Sequence, residues 1–159
     1  VDTVNTADWA FFAKNGNDAT QGAILTARAY THRKKLIFFN GFYHGVSPMV
    51  QKIDYPGVTP EDVANNLYCK WDDIEGLKKT LEENEGEVAA IIAQPYNHGN
   101  FFDNAFPIDG FWQEVRKLCT EKDIVLIFDE VQCGMGRTGY MYAWQRFGIK
   151  PDLVLDRLQ

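Results

Sequence analysis

Three polar clusters carry the residue types that could do chemistry. Asn15-Gly16-Asn17 is a turn that leads directly into a helix, and free backbone N–H groups at a helix start can bind a phosphate. Tyr43, in Tyr43-His44-Gly45, could stack on a flat heteroaromatic ring. Asp129 ends an apolar run, where a carboxylate needs a partner such as a cationic ring nitrogen. Each signal is weak alone, since a helix cap, a half-buried tyrosine and a paired aspartate are ordinary structural features.

The segments around these clusters alternate between predicted strands and predicted helices. Strands are predicted at 36–39, 88–93 and 124–128 with another starting at Leu153, and helices at 18–33, 72–81 and about 109–122, with Asp72 as a cap. This alternation predicts an α/β fold, a mainly parallel sheet with helices on both faces. Ligands of such sheets bind beyond the carboxyl ends of the strands, where the clusters lie. Residues 54–66 are expected to be an irregular excursion.

The composition excludes several classes of partner. The chain has 159 residues and a formal net charge of −6, which disfavours nucleic acid and anionic membranes. No apolar run reaches the length of a transmembrane helix. Cys69, Cys119 and Cys133 lack CxxC spacing, and the three histidines form no metal-ligand pair, so reduced thiols are expected rather than disulfides or a metal site. We expect one soluble, cytoplasmic domain.

The apolar run that ends in Asp129-Glu130 also fits the Walker B strand of an ATPase. That interpretation requires a glycine-rich loop with Gly-Lys-Ser/Thr to hold the phosphates, and the chain has none. A dinucleotide site fails in the same way, because no GxGxxG follows a strand. An ATPase-like domain would bind Mg-ATP, which we do not expect.

An ordered set of motifs resembles the class III aminotransferases, which depend on pyridoxal phosphate. Residues 127–139, IFDEVQCGMGRTG, resemble the family's cofactor-aspartate signature, above all in its acetylornithine and omega-amino-acid branches. Residues 12–19 resemble its phosphate turn, and residues 27–31, 41–45 and 110–119 follow in the family's order and spacing. The resemblance covers nearly the whole chain and implies the large-domain fold of pyridoxal-phosphate-dependent transferases.

The resemblance implies a role for each matching residue. Asp129 would be catalytic, because its pairing with the pyridine nitrogen keeps the ring cationic and able to accept electrons. Gly16 and Asn17 would bind the phosphate of the cofactor. Tyr43 would stack on one face of its ring and Val131 would pack against the other. Gln132 would reach the phenolic oxygen.

The expected roles of three further residues are less definite. Arg137 would orient its loop or meet a substrate carboxylate, with a surface salt bridge as the alternative. Glu130 would lie behind the site or start a helix, with solvated surface as the alternative. His44 is expected to hydrogen-bond within its own turn rather than act as a base.

The function implied is transamination between a small-molecule amine or amino acid and an oxo acid or aldehyde, in a homodimer. The alternative is a catalytically inactive module of the same fold that binds the cofactor or a protein. An abandoned site should have lost Asp129 or Tyr43, and both are present.

The chain departs from the family pattern at three places. Asn17-Asp18 stands where the phosphate turn usually has Ser or Thr followed by Glu, and Gln94-Pro95 stands where Glu-Pro is usual. The Schiff-base lysine would fall at or beside Leu158, but no lysine follows Lys150. We therefore expect 1–159 to be the cofactor-binding core of the large domain, without the N-terminal segment, the C-terminal small domain or that lysine.

Overall fold

The computed structural model describes residues 7–97 and 103–156. Eleven elements are formed in this part of the chain. In chain order they are helix α1 (Gly16–Thr31), strand β1 (Lys35–Phe39), a 3₁₀ turn (Pro48–Val50), helix α2 (Pro60–Val63), strand β2 (Asn66–Cys69), helix α3 (Ile74–Glu83), strand β3 (Val88–Ala93), helix α4 (Phe111–Glu121), strand β4 (Val125–Asp129), helix α5 (Ala143–Arg146) and strand β5 (Leu153–Leu155).

The strands form one parallel sheet in the order β2-β1-β3-β4-β5. Strands β3 and β4 lie inside it, and every residue of both is buried. Their sequences are apolar throughout, apart from Asp129 at the end of β4. This follows from their position, because a central strand of a parallel sheet is covered on both faces.

Helices cover the two faces of the sheet, as predicted. On one face α1 packs Ile24 and Ala27 against alternate strand residues such as Phe38 and Ile92. On the other face α3 and α4 pack against the intervening strand residues, with Trp112 fully buried. The α/β fold with a parallel sheet is therefore confirmed.

Two side chains, the partly buried Arg33 and the buried Trp112, donate hydrogen bonds to backbone carbonyls at opposite ends of the strands. Near the strand starts, the Arg33 guanidinium donates to three backbone carbonyls, those of Val88, Lys122 and Asp123, at 2.8–3.2 Å. Near the strand ends, Nε1 of Trp112 donates to the Pro95 carbonyl at 2.7 Å. Both side chains supply donors to backbone carbonyls beside the core, where an unpaired carbonyl is costly.

Some predicted elements need correction. Residues 54–66 are not wholly irregular, because they contain α2, and the edge strand β2 that follows was not predicted. Asp73, not Asp72, caps α3 by accepting a hydrogen bond from the Gly76 N–H. The Asp72 carboxylate instead accepts from the N–H of Ile108. Within the described residues, no helix has both the length and the apolar character to cross a bilayer.

Candidate active site at the carboxyl edge of the sheet

The three polar clusters meet at the carboxyl edge of the sheet, on the face covered by α1. Strand alternation places Asp129 on this face, because Phe128 before it packs against α4 on the other. The His44 ring lies on the same face, 5.9 Å from the ring of Phe38, and Phe38 belongs to the core beneath α1.

A buried pair of His44 and Asp129 forms the centre of this site. Nδ1 of His44 lies 2.8 Å from Oδ2 of Asp129, and both side chains are almost fully buried. Because a carboxylate only accepts hydrogen bonds, Nδ1 carries the proton in this contact. The other carboxylate oxygen accepts from the Val131 N–H at 3.2 Å. The expectation that His44 bonds within its own turn is therefore wrong.

The start of α1 supplies backbone donors. The Asn15 side chain caps the helix by accepting from the Asp18 N–H, and the Ala19 N–H bonds back to the Asn15 carbonyl. The N–H groups of Gly16 and Asn17 precede these and are the first orphan donors of the helix. Helix starts carry partial positive charge, which favours an anion at this point.

Asn17 also joins the start of α1 to the turn after β1. Its Oδ1 accepts from the N–H groups of Val46 at 3.1 Å and Ser47 at 2.9 Å. The backbone approach is so close that a Cβ on Gly45, where φ is +117°, would lie 2.5 Å from this oxygen. Glycine is therefore required at position 45.

Tyr43 stands at the mouth of the site. The residue is 45% exposed, so part of its surface is open to a ligand. Its backbone carbonyl accepts from Nε2 of Gln94 at 2.9 Å. Gln94 is buried, and its Oε1 has no hydrogen-bond partner among the residues described.

Glu130 is fully buried behind the site, so the surface alternative is wrong. Its two carboxylate oxygens accept from the N–H groups of Ala143 at 2.7 Å and Trp144 at 2.9 Å, at the start of α5. Burial raises the pKa of Glu130 to about 7, and the nearby carboxylates of Asp156 and Asp129 add to the rise, against the effect of the two N–H donors.

The loop after β4 carries the remaining predicted residues. Val131 lies beside the start of α1, since a Cβ on Gly16 would be 3.5 Å from its Cγ2. Gln132 and Arg137 are exposed. The position predicted for the Schiff-base lysine, at or beside Leu158, lies outside the described residues.

The geometry suits a flat anionic ligand with a basic ring nitrogen. Backbone donors at Gly16 and Asn17 suit an anionic group, the Tyr43 ring suits an aromatic face, and the buried Asp129 carboxylate suits a protonated nitrogen. None of the described residues forms a group of three or more His, Cys, Asp or Glu side chains able to hold a metal ion.

Comparison with known proteins shows similarity along the whole chain. The profile of the family described as "Aminotransferase class-III" matches residues 2–156. Aminopentol aminotransferase from Sphingopyxis macrogoltabida is 37% identical over 96% of this chain and 36% of its own length. Glutamate-1-semialdehyde 2,1-aminomutase from Prosthecochloris aestuarii is 41% identical over 88% of this chain and 34% of its own. The chain thus spans about a third of the length of these relatives.

Solved structures also show similarity along nearly the whole chain. The FumI protein of Sphingopyxis sp. MTA144, solved in its PLP internal aldimine form, matches 97% of this chain and 37% of its own with a TM-score of 0.90 and 36% identity. The taurine:2-oxoglutarate aminotransferase of Bifidobacterium kashiwanohense, solved with PLP and glutamate, matches 91% of this chain and 37% of its own with a TM-score of 0.79 and 29% identity.

Proposed function

The chain belongs to the class-III aminotransferase family, and we propose on that premise that it forms the cofactor-binding core of a pyridoxal-phosphate-dependent transaminase. The single observation that carries the proposal is the buried Asp129 carboxylate, oriented by His44 at the same sheet edge as the start of α1. We assign residues 1–159 to the core of the large domain of such an enzyme.

The chemistry of the described residues fits the cofactor. The first N–H groups of α1, on Gly16 and Asn17, would donate to its phosphate. The half-exposed Tyr43 ring would stack on the pyridine ring, with Val131 against the opposite ring face. The exposed Gln132 would reach the phenolic oxygen. These assignments follow from the family resemblance, and the neighbouring positions of the residues support them.

The side chains of the site would divide the catalytic work. Bound pyridoxal phosphate supplies a cationic ring that accepts the electrons left when a substrate carbon loses its proton. The Asp129 carboxylate would hold a proton at the ring nitrogen, since an ion pair in a buried site favours both charged partners. The Nδ1–H of His44 orients that carboxylate at 2.8 Å.

The substrates proposed are a small amine or amino acid and an oxo acid or aldehyde. Arg137, exposed on the loop after β4, would meet a substrate carboxylate. We also propose a homodimer in the cytoplasm. The exposed aromatic side chains of Trp9, Phe11 and Phe12 support association, and three buried free cysteines are compatible with a reducing compartment.

Titration with pyridoxal phosphate tests the proposal, with the cofactor's visible spectrum as the readout. Asp129→Asn removes the charge that holds the ring proton but keeps the size of the side chain. We expect it to weaken cofactor binding at least tenfold, since one pKa unit of lost pairing corresponds to about 1.4 kcal/mol, and to change the absorption spectrum. Asp109→Asn is the matched control, because Asp109 is exposed and should leave both unchanged.

The two possible failures have different meanings. If Asp129→Asn binds with an unchanged affinity and spectrum, Asp129 does not hold the ring nitrogen. If the protein shows no spectral change with pyridoxal phosphate at any concentration, the proposed function itself is wrong for this protein.

A further inference from the structure

We propose that Gln94 is a positioning residue for Tyr43, because its side-chain amide fixes the backbone of the turn that presents the Tyr43 ring to the ligand. The inference rests on the proposed function for the role of Tyr43 in stacking. The hydrogen bond itself, from Nε2 of Gln94 to the Tyr43 carbonyl, is independent of any ligand.

The contact joins two parts of the site that are distant in sequence. Gln94 directly follows the central strand β3, whereas Tyr43 lies in the turn after β1. At 2.9 Å the hydrogen bond spans 51 residues of sequence. Gln94 is only 3% exposed, so water cannot readily replace the amide as donor. A carbonyl that loses its donor at this partly buried contact is costly, and the turn would move to regain one.

The immediate neighbours of Tyr43 make its position matter. His44 follows it and bonds to Asp129, and Gly45 follows His44 and packs against Asn17. The turn is thus held by Asn17 on one side and by Gln94 on the other. A displacement of the Tyr43 carbonyl would reach the His44–Asp129 pair through one peptide unit.

The environment of Gln94 accepts an amide and rejects a carboxylate. A carboxylate at this position would set an oxygen against the Tyr43 carbonyl and could donate to it only when protonated. Its second oxygen would take the place of Oε1, which is buried and receives no hydrogen bond in the described part of the chain.

The titratable groups around this position would oppose a negative charge further. Register places Gln94 level with Asp129, since Ala93 pairs with Phe128, and Glu130 follows directly after β4. On the β1 side the titratable group is His44, which is already bonded to Asp129. A glutamate at 94 would therefore stay protonated well above its ordinary pKa, because burial and the neighbouring carboxylates both disfavour the charged form.

Two substitutions separate the hydrogen bond from general packing. Gln94→Leu removes the donor at every pH. Gln94→Glu keeps a donor at low pH and loses it as the glutamate ionises, so its defect should appear only as pH rises. Gln113→Glu is the matched control, because Gln113 also donates to a backbone carbonyl, that of Phe147 at 2.6 Å, but is exposed.

The experiment measures pyridoxal phosphate affinity from pH 5 to 9 and amide hydrogen exchange across residues 40–47, each as a ratio to the unsubstituted protein at the same pH. Loss of this partly buried hydrogen bond predicts an affinity about tenfold weaker for Gln94→Leu throughout the pH range. Gln94→Glu should match the unsubstituted protein near pH 5 and approach Gln94→Leu by pH 9. Exchange at Val46 and Ser47, whose N–H groups bond to Asn17, should accelerate in parallel.

The outcomes distinguish the two proposals. Normal affinity and exchange in Gln94→Leu, or a Gln94→Glu ratio that does not vary with pH, would overturn the role of Gln94. If the unsubstituted protein fails to bind pyridoxal phosphate, the proposed function fails, and the exchange data, which need no cofactor, still decide whether Gln94 holds the turn.

Discussion

Glu130→Gln should make the protein less stable at pH 5 but not at pH 8.5. At pH 5 the side chain is protonated in the folded state, and its two oxygens can still accept from the two backbone N–H groups at the start of α5. An amide has only one accepting oxygen and sets its NH₂ against the second donor. One buried N–H left unsatisfied costs about 1–3 kcal/mol. We expect this loss in the free energy of unfolding at pH 5.

The pH dependence follows from the raised pKa of Glu130. With a folded-state pKa of about 7 against an ordinary 4.5, the folded state binds the proton more tightly than the unfolded chain. The stability from this preference is complete below pH 4.5 and is lost as pH rises through 7. Between pH 5 and 8.5 the unsubstituted protein should therefore lose about 2–3 kcal/mol of stability from this group, since one pKa unit corresponds to about 1.4 kcal/mol. The variant cannot titrate there and should keep its stability, so the two curves converge.

Urea unfolding at pH 5 and pH 8.5, followed by tryptophan fluorescence, measures both effects. Glu82→Gln makes the same chemical change on the exposed side of α3. It should change the free energy of unfolding by no more than about 0.5 kcal/mol at either pH. If the free energies of unfolding of Glu130→Gln and the unsubstituted protein changed in parallel with pH, Glu130 would not be the group that binds a proton between pH 5 and 8.5.

Three other substitutions test the packing around the site and the core. Gly45→Ala should destabilise the fold by about 2 kcal/mol or more in urea unfolding, because φ is +117° and the new Cβ would lie 2.5 Å from Oδ1 of Asn17; an unchanged unfolding midpoint would show that this turn relaxes freely. Arg33→Met leaves three carbonyls without their donor and should cost about 2 kcal/mol, whereas equal stability would mean that water replaces the guanidinium. Trp112→Phe loses the bond to the Pro95 carbonyl and leaves a gap in a fully buried site, so thermal unfolding should show a loss of about 2–3 kcal/mol; a smaller loss than for an exposed tryptophan would contradict this packing.

Strands were predictable where burial is complete on both faces. The apolar sequences of β3 and β4 indicate central strands without further information. Strand β2 was missed because it is a four-residue edge strand whose first three residues are only partly buried, so its sequence lacks both a continuous apolar run and a clear alternation.

The sequence predicts that the residues proposed for the site lie at one edge of the sheet, but it does not predict the contacts between them. Parallel topology places Tyr43, His44 and Asp129 at one edge of the sheet. The His44–Asp129 bond requires the strand order as well, because β1 and β4 are separated by β3, and local sequence does not encode that order. The expected position of Glu130 behind the site and at a helix start agrees with the structure, but its partners could not be predicted. They are backbone N–H groups 13 and 14 residues away, and a backbone donor has no signal in side-chain type.

The double hydrogen bond accepted by Asn17 links the start of α1, where we propose that the phosphate binds, to the turn that carries Tyr43, where we propose that the ring stacks. Whatever immobilises the first turn of α1 also immobilises Val46 and Ser47 through the Asn17 oxygen, and hence the turn that carries Tyr43. A small anion bound at the start of α1 would therefore order the turn of Tyr43 in advance, so that an aromatic ligand binds there at a lower entropic cost. By reciprocity, a bound aromatic ligand would favour binding of the anion. Inorganic phosphate should accordingly raise the affinity of the protein for unphosphorylated pyridoxal. It should compete only with intact pyridoxal phosphate.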